Sequence, residues 1–533
     1  MKRSSVFAVR CLKLVACLVV LCFPLLSASA DDDTGKAASF RLEEATIQSI
    51  HAAYKSGQLT SHRLVQLYLD RIEAYDKNGP QINSVITLNP DALAEADKLD
   101  AAFKKSGFVG PLHGIPIVVK DMADAKGMPT TMGSLALKDY YPQRDSFVVE
   151  RLKKAGAIIL GKTTLGEFAG GDTYGSLFGA TRNPYDPKRT VGGSSGGSGA
   201  ALAANLTAVA VGQENVSSTR RPAAWNAVVG LRPSTGLVSR SGVDDGWPGD
   251  NGTLTPMART VTDLAILFDS MVGYDSEDPL TAKGVGHIPS TYMKFLDRNG
   301  LKGARIGVLR SPMYRNPDPD TPEVHEVTAT FDKALAELKS AGAVIVDPIE
   351  IPKLAELIAT RVRMAGEEQS FAVWFNRGTN PPYKSRQDLV NSPSFVKIFP
   401  GTQQRLRDSY APTTEEQLRY LLAKDELMTS YLKVMADNKL DAIVYKSMAG
   451  PPALIKDGPV PTSAGGVAAP AFNSFLIYVP AISVPSSFTA SNLPTGITFQ
   501  GRPYDEGEMI KLAYAYEQAT HHRKPPVMKT GSQ

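Results

Sequence analysis

The chain has 533 residues, 21% of them charged and 43% hydrophobic, a balance that can bury a sizeable core and excludes an intrinsically disordered polymer. Its formal net charge of +4 is carried by Lys2, Arg3, Arg10 and Lys13, which stand near the N-terminus without an acid. The remainder balances, so no basic patch points to nucleic acid or to an anionic membrane surface. All three cysteines, Cys11, Cys17 and Cys22, lie in the same N-terminal stretch. A disulfide framework, a thiolate metal site and a cysteine nucleophile are thereby excluded from the rest of the chain.

In chain order, the basic start, the apolar run Leu14–Leu26 and the small-residue site Ala28-Ser29-Ala30 read as a secretory signal peptide over residues 1–30. The expectation is a secreted or periplasmic mature chain from Asp31, with no stable membrane anchor after cleavage. Glu43–Ser56 and Ser61–Lys77 read as amphipathic helices; in the second, Leu64, Tyr68, Ile72 and Tyr75 share a face. Ile82–Leu88 reads as a strand and Pro90–Lys104 as a helix. Ile115–Val119 is a short buried strand, Ser146–Lys154 a helix and Ala157–Leu160 a strand. Thr207–Val211, Ala304–Leu309, Ala442–Tyr445, Ala481–Val484 and Ile497–Phe499 are further strands, and Gly507–His522 is a last long helix ending in His521-His522, a solvated end. Helices alternating with short apolar strands predict an α/β fold. The stretch Tyr383–Thr414, rich in Pro, Ser and Arg, reads as a surface insertion beside the active site.

The most informative stretch is residues 191–222, VGGSSGGSGAALAANLTAVAVGQENVSSTRRP. A Gly/Ser loop, Gly192–Ser198, precedes the strand; a second hydroxyl-rich loop, Val216–Arg220, follows it. Glycines let backbone N–H groups approach a ligand, and two hydroxyl-bearing loops suggest nucleophilic chemistry on an acyl group. No histidine motif matches a hydrolase triad or a metal site.

Four ordered blocks then carry a resemblance: GPLHGIPIVVKDM (Gly110–Met122), NPYDPKRTVGGSSGGSGAALAA (Asn183–Ala204), the stretch Gly212–Gly236, and LPTGITFQGRPYDEGEMIKLAYAYEQAT (Leu493–Thr520). Over nearly its whole mature length the chain resembles the amidase signature family. The resemblance implies a single domain over 31–533, with an N-terminal helical region (31–105) and a catalytic core (106–533). The implied architecture is α/β, a large mixed, mostly parallel sheet covered by helices on both faces. It implies a Ser–cisSer–Lys triad acting on linear amide C–N bonds, with ester cleavage by the same site, no metal and no cofactor. Lys120 matches the lysine, Ser194 the bridging serine with its cis peptide bond, and Ser218 the nucleophile. Ser217 is the competitor, but the order serine-x-arginine-x-proline, Ser218 to Pro222, sets the register.

Each role has a physical basis. A serine hydroxyl needs a base, and a lysine is one only when neutral. Burial behind Ile117 and Val119 lowers its pKa. Backbone N–H groups of Asn215, Val216 and Ser217 would form the oxyanion hole, with Glu214 and Arg220 as structural support. Ser198 reads as a structural serine. Asp172–Phe178 and the 383–414 segment are the expected pocket walls. The expected partner is a small-molecule or peptide amide, with no nucleic acid; homo-oligomerisation is left open. A component of an amidotransferase is a third reading, against which the leader argues. One departure stands out: Val216 and Ser217 occupy positions where the family places small residues, usually glycine before the nucleophile. A β-branched residue at positive φ would be costly, which keeps alive a catalytically impaired, amidase-fold binding protein.

Overall fold

A computed structural model describes residues 40–311, 318–362, 365–378, 381–407, 412–455 and 471–529. The expected leader, residues 1–30, and residues 31–39 of the expected domain lie outside the described residues. Eleven strands form one sheet: β1 (Val85–Leu88), β2 (Pro116–Lys120), β3 (Ile158–Thr163), β4 (Val209–Glu214), β5 (Val229–Arg232), β6 (Thr253–Ala258), β7 (Arg305–Leu309), β8 (Val344–Ile349), β9 (Ala442–Lys446), β10 (Ala481–Phe488) and β11 (Pro494–Gln500). Across the sheet the order is β1, β3, β2, β4, β6, β5, β10, β11, β9, β7, β8.

The sheet is large and mixed, as expected. β3, β2 and β4 run parallel, as do β9, β7 and β8; every other neighbour pair is antiparallel. The expected predominance of parallel pairing thus holds within two three-stranded blocks and gives way across the centre. For β10 and β11 the reason is connection length. Residues 489–493 are all that join β10 to β11, and a parallel crossover needs about a dozen residues or more.

Within the first block, all five residues of β2, PIVVK, are buried. A continuous apolar run of this kind suits a strand covered on both sides. Over it packs the helix Gly196–Ala203, whose eight residues are all buried. Small side chains permit that approach: a Cβ at Gly197 would stand 2.4 Å from the Thr164 carbonyl oxygen. Val261–Met271 packs on β4, β5 and β6, and Glu506–Thr520 on β10 and β11.

Several boundaries differ from the sequence reading, two of them for a clear local reason. The first helix begins at Ile47, not Glu43, because Thr46 and Ser49 close a capping box there and Glu44 sits at φ 57°. The first strand begins at Val85, because Gln81 and Asn83 take φ of 51° and 55°. Of the His521-His522 end, His521 is exposed as expected, but His522 is not. His522 Nε2 lies 2.7 Å from Glu337 Oε2, and Arg523 beyond it pairs with Glu44 at 2.7 Å, folding the tail onto the body.

Candidate active site

The site grows from the C-terminal ends of two adjacent parallel strands, where open α/β sheets place their chemistry. Lys120 ends β2 and Gln213 lies at the end of β4. Lys120 is fully buried. Its Nζ lies 2.7 Å from Ser194 Oγ, 3.1 Å from Gln213 Oε1 and 3.4 Å from the Gln213 carbonyl oxygen. Burial pulls its pKa down to about 7, against the upward pull of Asp245, Asp244 and Glu214.

Ser194 sits in the Gly/Ser loop after a cis Gly193–Ser194 peptide bond. The loop lies against 171–173. A Cβ at Gly193 would stand 2.3 Å from the Gly171 carbonyl oxygen, and Thr173 Oγ1 donates to the Gly192 carbonyl at 2.7 Å. Ser195 is a clip. Its hydroxyl accepts from Gln213 N at 3.1 Å and donates to Gln213 O at 3.0 Å, and its own N–H donates to the Ser218 carbonyl at 2.9 Å. The two serine loops are thereby joined. Ser198 hydrogen-bonds Thr163 Oγ1 at 2.8 Å and the Val211 carbonyl at 3.2 Å, a role in packing.

The second loop hangs from Glu214. One carboxylate oxygen accepts from Thr219 N and Arg220 N at 2.8 and 3.0 Å; the other accepts from Arg220 Nε at 2.7 Å. Arg220 also donates to Tyr445 Oη at 2.7 Å and to the Val216 carbonyl at 2.5 Å. Burial pushes Glu214 up, but the Arg220 guanidinium and the two N–H donors outweigh it and hold the carboxyl below its usual range. The amides of Asn215, Val216, Ser217 and Ser218 donate to no acceptor among the described residues, so they are free for an oxyanion. Neither Val216 nor Ser217 takes a positive φ. The backbone cost that a β-branched residue would incur there does not arise.

Ser217 is buried, 7% exposed, whereas Ser218 is half-buried and reachable. The structure joins Lys120 to Ser194 through side chains and joins Ser218 to this pair through the Ser195 backbone. No hydrogen bond links the Ser218 hydroxyl to Ser194 among the described residues, and catalytic contacts commonly tighten only when substrate binds.

The two expected pocket walls pack on each other. The rings of Tyr174 and Phe399 are 4.6 Å apart, Phe399 N donates to Glu167 Oε2 at 3.2 Å, and Arg405 reaches the Glu167 carbonyl at 2.7 Å. Among the described residues, no group of three or more His, Cys, Asp or Glu is arranged to hold a metal ion, and no helix is long and apolar enough to cross a membrane.

Sequence reading missed Gln213, Asp244 and Asp245. Gln213 carried a usable signal, since a polar residue closing an apolar strand beside a lysine-ended one faces the same strand-end crevice. Asp245 carried none. It approaches from a distant loop and accepts from Gln213 Nε2 at 2.7 Å and Asn215 Nδ2 at 2.9 Å. Burial, and then neighbouring Asp245, push the Asp244 carboxyl upward.

A family model described as amidase matches residues 63–510. The chain is 34% identical to the peptide amidase of Stenotrophomonas maltophilia, whose structure superposes with a TM-score of 0.80 over 91% of this chain and 99% of that one. A "probable amidase" of Arabidopsis thaliana is 32% identical over 530 residues, 94% of this chain and 95% of the relative. A glutamyl-tRNA(Gln) amidotransferase subunit of Thermosynechococcus vestitus is 32% identical over 498 residues, 90% of this chain and 99% of that one.

Proposed function

We propose a mechanism for a chain that belongs to the amidase family and hydrolyses amides: a seryl acyl-enzyme formed at Ser218, with Lys120 as base and Ser194 as relay. The observation that carries it is the contact of 2.7 Å between Lys120 Nζ and Ser194 Oγ in a fully buried site. Neutral Lys120 takes the Ser194 hydroxyl proton as Ser194 takes that of Ser218. Ser218 Oγ bonds to the amide carbonyl carbon, and the oxyanion turns to the free N–H groups of the 215–218 loop. Collapse breaks the C–N bond, and the proton returns through Ser194 to the departing amine. Water then repeats the route and releases the acid.

The test is a fluorophosphonate probe. Labelling at Ser218 is expected, absent in Ser218→Ala and strongly reduced in Lys120→Ala. Folded wild-type protein that takes no label and hydrolyses nothing in an amide and ester panel would sink this mechanism and favour the binding-protein alternative. The φ values at Val216 and Ser217 remove the backbone argument for that alternative.

We further propose an exported enzyme acting on peptide-type amides. The likeness to the peptide amidase supports the substrate class, and the basic, apolar and Ala-Ser-Ala segments support export. Expression in a bacterial host is expected to give a periplasmic or medium fraction beginning at Asp31. Full-length protein retained in the cytosol counts against export and favours the amidotransferase reading.

A further inference from the structure

Building on Lys120 as the base, we propose that Gln213 and Asp245 are a positioning pair that aims the lone pair of Lys120 at Ser194 and ties the base to the oxyanion loop through one carboxylate. A neutral lysine amine has two N–H bonds and one lone pair. Two oxygens of Gln213, Oε1 at 3.1 Å and the carbonyl at 3.4 Å, are placed to accept those N–H bonds. The lone pair is left facing the Ser194 hydroxyl at 2.7 Å.

This works only if Gln213 presents its oxygen. A side-chain amide has a donor end and an acceptor end, and with the ends exchanged it would direct a second donor at Lys120. Asp245, an acceptor only, sets the choice: its Oδ2 takes Gln213 Nε2 at 2.7 Å. The same oxygen takes Asn215 Nδ2 at 2.9 Å, and Asn215 opens the loop that leads to Ser218. The Gln213 main chain is fixed from the other side by Ser195.

The charges around Lys120 set the pH signature. It faces Asp245, Asp244 and Glu214. Glu214 is neutralised by Arg220, while Asp244 is faced in turn by Asp245, Arg386 and Arg405. On the far side, Lys162 and Asp121 form a closed buried pair at 3.0 Å. Because Asp245 also pushes the Asp244 carboxyl upward, a change at Asp245 alone would alter both, so the clean comparison is D244N against D244N/D245N.

The experiment measures kcat and KM from pH 5 to pH 10 for wild type, D244N, D244N/D245N and Q213L, with Ser218 labelling in parallel. D245N keeps an acceptor oxygen for Gln213 and removes the charge. It is expected to lower the midpoint of the alkaline limb by about one pH unit in the D244N background. Q213L is expected to lower the kcat plateau about ten- to a hundredfold while KM changes less than about threefold, the mark of an interaction used in the transition state. A residue that merely braced the loop would leave the midpoint in place. An active, labelled wild type whose midpoint is the same in D244N and D244N/D245N, or a Q213L variant with an undiminished plateau, overturns the positioning pair alone. An inert wild type overturns the acyl-enzyme mechanism and the pair with it.

Discussion

The sharpest consequence of a buried, neutral base is a rate that saturates near neutrality. With Lys120 at about 7, roughly one tenth of the enzyme carries a neutral base at pH 6 and roughly nine tenths at pH 8, so kcat/KM for a non-ionising amide rises about tenfold over that interval and is flat above it. A solvated lysine near 10.4 would instead raise the rate about tenfold per pH unit up to pH 10. Lys120→Arg keeps a cation that does not deprotonate and is expected to lose about 10²–10⁴-fold, the usual worth of a positioned base. Stability must rise with pH as well. The folded pKa lies below the unfolded one, so stability is full above the unfolded value and is lost as pH falls toward about 7. Lys120→Met removes that penalty and is expected to be more stable than wild type at pH 7 by a few kcal/mol, since each pH unit between the folded and unfolded pKa is worth about 1.4 kcal/mol. The assay is a steady-state pH profile beside denaturant unfolding at two pH values. A rate independent of pH from 5 to 9, or one still climbing at pH 10, refutes the reasoning.

Two further outcomes follow from the same burial arguments. Glu214→Gln leaves the Arg220 guanidinium, 1% exposed, without its counter-charge beneath the catalytic loop; it is expected to cost about 3–5 kcal/mol in urea unfolding and to lower kcat more than it raises KM. A loss below about 0.5 kcal/mol would mean the pair does not hold the loop. Glu506 is buried, with one oxygen accepting Ser234 N at 2.6 Å and the other without a hydrogen-bond partner among the described residues, and desolvation pushes it up to about 7. Its folded pKa exceeds the unfolded one, so its contribution is intact below about pH 4.5 and is lost as pH rises through about 7. Glu506→Gln is therefore expected to match wild type near pH 5 and to exceed its stability by up to about 3 kcal/mol at pH 8. Parallel pH dependence of the two proteins would contradict this.

The proposed catalytic residues are legible in the sequence because each occupies a place where local chemistry is unusual. Lys120 ends a run of buried β-branched residues, and Ser194 lies among glycines whose missing Cβ atoms admit the 171–173 backbone. The sheet is legible strand by strand, since apolar runs between turn residues mark β2, β3, β4 and β9 directly. What the sequence hides is whatever depends on chain segments far apart. Asp245 meets Gln213 across 32 positions, Glu337 meets His522 across 185, and the antiparallel centre of the sheet follows from connections whose geometry no periodicity encodes. Backbone dihedrals are hidden in the same way: the cost of Val216 turns on the sign of one φ.

That sign changes what Val216 means. With no left-handed residue in the 215–218 stretch, the loop is held in shape by Glu214 and Arg220, through hydrogen bonds to Thr219 N, Arg220 N and the Val216 carbonyl. None of those bonds uses the side chain at 216 or 217. The main-chain donors are therefore set by the ion pair beneath the loop and are indifferent to what the loop carries above it. Under the proposed acyl-enzyme mechanism Val216, partly exposed, is expected to act through its volume, which a Val216→Gly variant assayed on short and long acyl chains checks. On that reading the departure from small residues is a matter of which acyl chains fit, and the proposed machinery of Lys120, Ser194 and Ser218 uses neither side chain.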